Sequence, residues 1–180
     1  LLSAQCTDVN VNNVTKNIYP KYNHPKHFLK LGRKKIERLI KRIGIFRVKA
    51  KSIYYLSKTL IEKYNGKVPN TYEELEQLPG VGHKTASVVM SQGFGYPAFP
   101  VDTHIHRLAQ RWGLTNGKNV VQTEEDLKAT FSRKNWNKLH LQIIWFGREY
   151  CKARDCFGLA CKICKSCYPN RKKKFIAKKA

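Results

Sequence analysis

The chain has 180 residues, with 35 Lys and Arg against 12 Asp and Glu, and a formal net charge of +23. Its 42% hydrophobic content is enough for a buried core and excludes a wholly disordered protein. No apolar run is long enough to cross a membrane, and the charge excess points to a polyanionic partner, nucleic acid ahead of acidic lipid. The chain lacks an initiating Met and an apolar signal segment, so it is expected to be a fragment.

Ile36, Leu39, Ile40 and Ile43 recur at helical spacing, with Arg33, Lys34, Lys35, Arg38, Lys41 and Arg42 on the other faces. Ile53, Leu56, Leu60, Ile61 and Tyr64 form a second stripe, stopped by Asn65-Gly66. A capping box at Thr71-Tyr-Glu-Glu74 opens a third helix, which Pro79 halts. A fourth is predicted from about His83 to Gln92, before the Gly93–Tyr96 and Pro97 break. Asp102 reads as the N-cap of a fifth helix through Arg111, and Glu124–Phe131 and Trp136–Tyr150 give two more. No alternating strand pattern occurs, so the expected fold is all-α. The expected organisation is a helical lobe over 1–96, with a helix–hairpin–helix at about 72–92, and a C-terminal lobe over 97–167. Residues 168–180 make a basic tail, expected to be disordered.

Five of the six cysteines fall between Cys151 and Cys167. A disulfide knot usually spreads its cysteines over a domain, and a zinc site built on CxxC asks for a second pair further off. The run Cys161-x2-Cys164-x2-Cys167, with a fourth thiolate upstream, suits an iron–sulfur cube best, with zinc as the alternative. Cys6 stands alone and reads as a small buried residue.

Leu78-Pro-Gly80-Val81-Gly82 lies between two predicted helices. Alternate glycines allow a tight turn with outward backbone N–H groups, and the next helix adds free N–H groups of its own, an arrangement that holds phosphate without reading sequence. Lys84 falls in the first turn of that helix, where the dipole opposes a cation and so favours the neutral amine, the form that attacks an electrophilic carbon. Asp102 has a sufficient job as a cap, yet a carboxylate there could also manage protons near a lysine.

With Leu78-Pro-Gly-Val-Gly-His-Lys84-Thr-Ala, Pro100-Val-Asp102-Thr-His104-Ile-His-Arg107 and a cysteine-rich end in place, the chain resembles the endonuclease III family. Leu1-Leu-Ser-Ala-Gln5-Cys-Thr-Asp8 resembles that family's first core helix, and the likeness runs to about residue 167. The resemblance implies a two-lobed helix–hairpin–helix DNA glycosylase with a [4Fe–4S] cluster loop and DNA between its lobes, the damaged pyrimidine flipped out of the stack. It makes Lys84 the nucleophile at C1′ and Asp102 its assisting carboxylate. Gly80, Val81 and Gly82 would grip the DNA backbone, Gln5 would fill the space left by the flipped nucleotide, and Ile45 would wedge between bases. His104 falls among the DNA-contacting positions.

A catalytic lysine implies combined glycosylase and abasic-site lyase activity. The alternatives are a monofunctional glycosylase and a non-catalytic DNA-binding protein. The expected partner is duplex DNA with oxidised pyrimidines or abasic sites, bound by a monomer, DNA-associated inside a cell and away from membranes. Two departures stand out. The family's cysteines fall as C-x6-C-x2-C-x5-C, whereas these fall as C-x4-C-x4-C-x2-C-x2-C. The favoured ligands are Cys151, Cys161, Cys164 and Cys167, with Cys156 the alternative to Cys151 or Cys167. The family's additional N-terminal helix, packed on the cluster lobe, has no counterpart, so that lobe is expected to be less stable.

Overall fold

The computed structural model describes residues 1–3 and 6–179. Every regular element among them is helical, as periodicity predicts. Packing divides the chain into two compact units, Leu1–Ala86 and Ser87–Ala180.

In the first unit, α1 (Asp8–Thr15) starts where the Thr7 hydroxyl accepts from the Asn10 N–H at 3.3 Å. α2 (Pro25–Leu39) has proline in its first turn and is kinked at Gly32, whose φ of +69° interrupts the ladder. α3 (Phe46–Tyr64) ends on Asn65 and Gly66, both left-handed, and the Gly66 N–H returns to the Leu60 carbonyl at 2.8 Å. α4 (Tyr72–Glu76) carries the expected capping contacts, Glu74 N–H and carboxylate both meeting the Thr71 hydroxyl. Ile18, Ile36, Ile40, Ile43 and Ala50 form an apolar core. Cys6 is half-buried against it and accepts from the Asn10 amide at 3.2 Å.

α5 (His83–Val88) gives way to a wider π turn, Val89–Gly93, where an α-helix to Gln92 was predicted. The added width turns two successive side chains, Met90 and Ser91, inward together. In the second unit, α6 (Thr103–Trp112) stops at left-handed Gly113. α7 (Val120–Thr130) begins four residues before the predicted start, because the Asn119 side chain accepts from the Gln122 N–H at 2.8 Å. α8 (Trp136–Glu149) packs on α6 at Gly147, where a Cβ would lie 3.3 Å from Leu108. α9 (Lys162–Cys167), absent from the sequence reading, is capped by the Cys161 sulfur. Phe99, Ile105, Leu108, Leu127 and Ile143 share this unit's core with four cysteines.

Residues 168–179 are laid on the second unit, where composition predicts disorder. Arg171 donates to the carbonyls of Arg111 and Gly158 at 3.0 and 3.2 Å and stacks over Tyr168 at 4.0 Å. Gln110 and the Lys178 backbone exchange two hydrogen bonds of 2.8 and 3.1 Å. Two of the tail's cations, Arg171 and Lys178, thus serve as donors to backbone oxygens, which a count of charge does not reveal.

Candidate active site and metal centre

The hairpin joining α4 to α5 is built from backbone. The Val81 N–H closes it on the Leu78 carbonyl at 3.0 Å, and the N–H groups of Thr85 and Ala86 both reach the Gly82 carbonyl. Gly80 is required twice over. Its φ is +81°, and a Cβ there would stand 2.8 Å from that of Ser52. Around Gly82, by contrast, a Cβ would meet nothing within 4 Å, so its backbone faces open space. His83 braces the turn, its Nδ1 2.7 Å from the Glu76 carboxylate and its ring stacked on Tyr72. Lys84 follows, exposed, in the first turn of α5. Val81 is partly exposed beside it.

Ile45 is 50% exposed and left-handed, at φ 50°. A β-branched residue is strained there, and its apolar side chain faces water. The Asn10 amide holds the turn through the Arg42 carbonyl at 2.9 Å. Gln5 lies outside the described residues.

In the second unit, Asp102 is the predicted N-cap, its Oδ1 accepting from the Ile105 N–H at 2.9 Å. His104 is half-buried two residues on, within the first turn of α6. Burial lowers its pKa, the Asp102 charge pulling the other way, so the ring is neutral at neutral pH. Arg107 lies beside it and donates to the carbonyls of Gly147 and Cys151 at 3.2 and 3.1 Å.

The cysteine loop brings together Cys151, Cys156, Cys161 and Cys164, all buried, with sulfurs within 4.8 Å of one another. Cys167, the residue expected in the fourth place, is exposed and outside this group. The chain turns back after Cys156 through two left-handed residues, Phe157 and Gly158, and the Cys161 N–H then points at the Cys156 sulfur at 3.4 Å. Cys161 in turn accepts from the Cys164 N–H at 3.4 Å. None of the six cysteines is in a disulfide.

Burial would raise the Cys156 thiol, but backbone N–H groups of Cys161, Ala160 and Gly158 together bring it down to about 6. Burial pushes Cys151 up to about 11 against the pull of Arg111, and it raises Cys164 as well. Four convergent thiols, one already favouring thiolate, form a donor set for a soft metal rather than an apolar core.

Sequence reasoning missed Arg111. Buried at 2% exposure, it donates to the Cys151 sulfur at 3.2 Å and to the carbonyls of Cys151, Lys152 and Ala153 at 3.3, 2.9 and 2.9 Å. Only its place at the end of the α6 stripe could have signalled an inward guanidinium.

A helical hairpin with an exposed lysine, a capping aspartate and a buried thiol quartet define a class, and the comparisons with known proteins agree on it. The model of the HhH-GPD superfamily of base excision DNA repair proteins matches residues 1–133. The chain is 43% identical over 173 residues to endonuclease III of Bacillus subtilis, covering 96% of this chain and 79% of that one. A solved structure of a trapped endonuclease III–DNA covalent intermediate is 41% identical, with a TM-score of 0.84, covering 92% of this chain and 81% of the other. A non-covalent endonuclease III–DNA complex is also 41% identical, with a TM-score of 0.85, covering 92% and 80%. The chain belongs to the endonuclease III family within that superfamily.

Proposed function

We propose that the chain is a base excision repair enzyme, a DNA glycosylase and abasic-site lyase acting on oxidised pyrimidines. The observation that carries this is Lys84, an exposed amine in the first turn after a backbone-lined hairpin. The similar trapped structure is named for a covalent intermediate with DNA, and an amine is a group able to form one with deoxyribose.

The neutral Lys84 amine attacks C1′ of the flipped nucleotide, the glycosidic bond breaks, and the base leaves with its electron pair and a proton. Ring opening gives a Schiff base between Nζ and C1′. Loss of a C2′ proton then drives β-elimination, breaking the C3′–O bond and releasing the 3′ phosphate. Asp102 is the carboxylate assigned to assist, moving protons and stabilising the cationic imine. Open backbone around Gly82 supports a phosphate grip through Gly80, Val81 and Gly82, and exposed Ile45 supports the wedge role. His104 is a weaker DNA contact, being half-buried beside Arg107.

Cys151, Cys156, Cys161 and Cys164 would hold the cofactor, a [4Fe–4S] cluster that supplies a structural anchor. The resemblance supports iron–sulfur. One observation favours zinc, because sulfur separations of 3.8 and 4.0 Å are those of a single tetrahedral ion with bonds of about 2.3 Å. Iron and sulfide analysis with visible absorption separates the two.

The activity test is borohydride trapping with an abasic duplex. The unmodified chain gives a covalent complex, and Lys84→Ala gives none with its fold intact. Trapping that survives Lys84→Ala, or no product from any lesion duplex, overturns the reading.

A further inference from the structure

α2 separates its residues sharply. At about 100° per residue, Lys34, Lys35 and Arg38 share roughly 100° of arc on the side opposite Ile36 and Ile40. The isoleucines are 1% and 2% exposed, whereas all three cations are exposed. Lys41 and Arg42 continue the exposed run on the turn that follows. Glu37 is the one acid of the α2 sequence, and it sits half-buried off this face. The unit's described ion pairs, Lys58 with Glu62 and His83 with Glu76, lie on other elements. Five cations so placed repel one another, a cost a polyanion removes.

The position of this ridge selects the partner. It leads into the turn that carries exposed Ile45 and is pinned by Asn10 at Arg42. That turn opens directly into α3, whose Ser52 packs against Gly80 of the hairpin. Arg47 and Lys51, both exposed on the first turns of α3, fill the interval. Ridge, wedge and hairpin therefore follow one another along one unit. Within the helix, from Lys34 to Arg38, the ridge rises about 6 Å at 1.5 Å per residue. That matches two to three phosphates of one strand, spaced about 3.4 Å along the duplex axis.

We propose that the α2 ridge is a second phosphate-binding surface, which seats duplex DNA flanking the segment held at the hairpin. The inference rests on the DNA reading above, but not on the lysine chemistry. It makes part of the affinity independent of any lesion, so the protein would hold undamaged duplex while searching.

The test is binding of an undamaged 30-base-pair duplex, followed by fluorescence anisotropy across a salt series. Each phosphate contact contributes about 0.9 to the slope of log K against log salt. Replacing Lys34, Lys35 and Arg38 together with Gln is expected to reduce that slope by about 2 to 3. The control removes the same charge elsewhere, as Lys58→Gln with Lys63→Gln and Lys67→Gln, and should change the slope by less than about 1. An unchanged slope in the ridge variant overturns the proposal, and so does an equal loss in the control, which would mean diffuse attraction. Loss of binding to phosphatidylserine vesicles with an unaltered duplex slope overturns it in favour of a membrane. Borohydride trapping by the unmodified chain is scored separately, so failure of the lyase reading leaves a distinct signature.

Discussion

The two units put their chemistry in opposite places. In the first, the core cluster is apolar, although Thr15, Lys49 and Ser57 are also buried, and the functional features are exposed: Lys84, Ile45 and the open backbone at Gly82. In the second, four thiols and a guanidinium occupy the interior, and His106, Gln110 and Thr123 on α6 and α7 are buried as well. Exposed Lys84 and Ile45 of the first unit can be altered with little structural penalty, although Gly80 between them cannot. The second has given its core to a site that needs a ligand, so stability and metal content are one property there.

The largest test of that contrast is the fourth thiol. Cys156→Ser is expected to lose most bound metal and to lower the melting temperature of the second unit, whereas Cys167→Ser keeps both. Metal stoichiometry by mass spectrometry with calorimetry reads the difference, and the opposite ranking would return Cys167 to the ligand set. Chelation of the unmodified protein should reproduce the Cys156→Ser melt.

Next in size is Arg111→Met. It removes donors from three loop carbonyls and one sulfur, which should cost about 3 kcal/mol or more as buried acceptors lose their partner. Chemical denaturation reads the loss, and faster release of metal to a chelator distinguishes a loop effect from a general one. A smaller effect of opposite sign is expected in the first unit. Ile45→Gly relieves left-handed strain and should stabilise by about 1 kcal/mol, while weakening binding to a lesion duplex.

The smallest effect is on pH dependence. His106 is 1% exposed with Nδ1 2.8 Å from the Thr123 hydroxyl, and burial lowers its pKa, opposed by the backbone at Lys179. The unfolded chain therefore takes up this proton first. The contribution is full above the unfolded value of 6.5 and is lost as pH falls from there through the folded value. His106→Gln should flatten that acid slope in urea titrations, and an unchanged slope would assign it elsewhere.

The helices were legible where local signals act alone. The Ile36–Ile40 part of the first stripe, the Thr71 box, the Asp102 cap and the Asn65-Gly66 stop all do what their chemistry dictates, while Ile43, the stripe's last member, is buried in the turn beyond α2. The motif around Lys84 was equally readable, because a hairpin that needs Gly80 leaves few alternatives. What stayed hidden depends on return contacts. Cys156 joins the quartet only because Phe157 and Gly158 reverse the chain, and Cys167 is excluded only by the end of α9. The start of α7 rests on one asparagine before a valine pair without helical periodicity. Arg111 and Arg171 look like two more basic residues until their carbonyl partners are seen.

The hold of Arg171 on Gly158 comes from beyond the span of the four thiols, so clipping the chain between Cys167 and Arg171 would unfasten their loop without touching a sulfur.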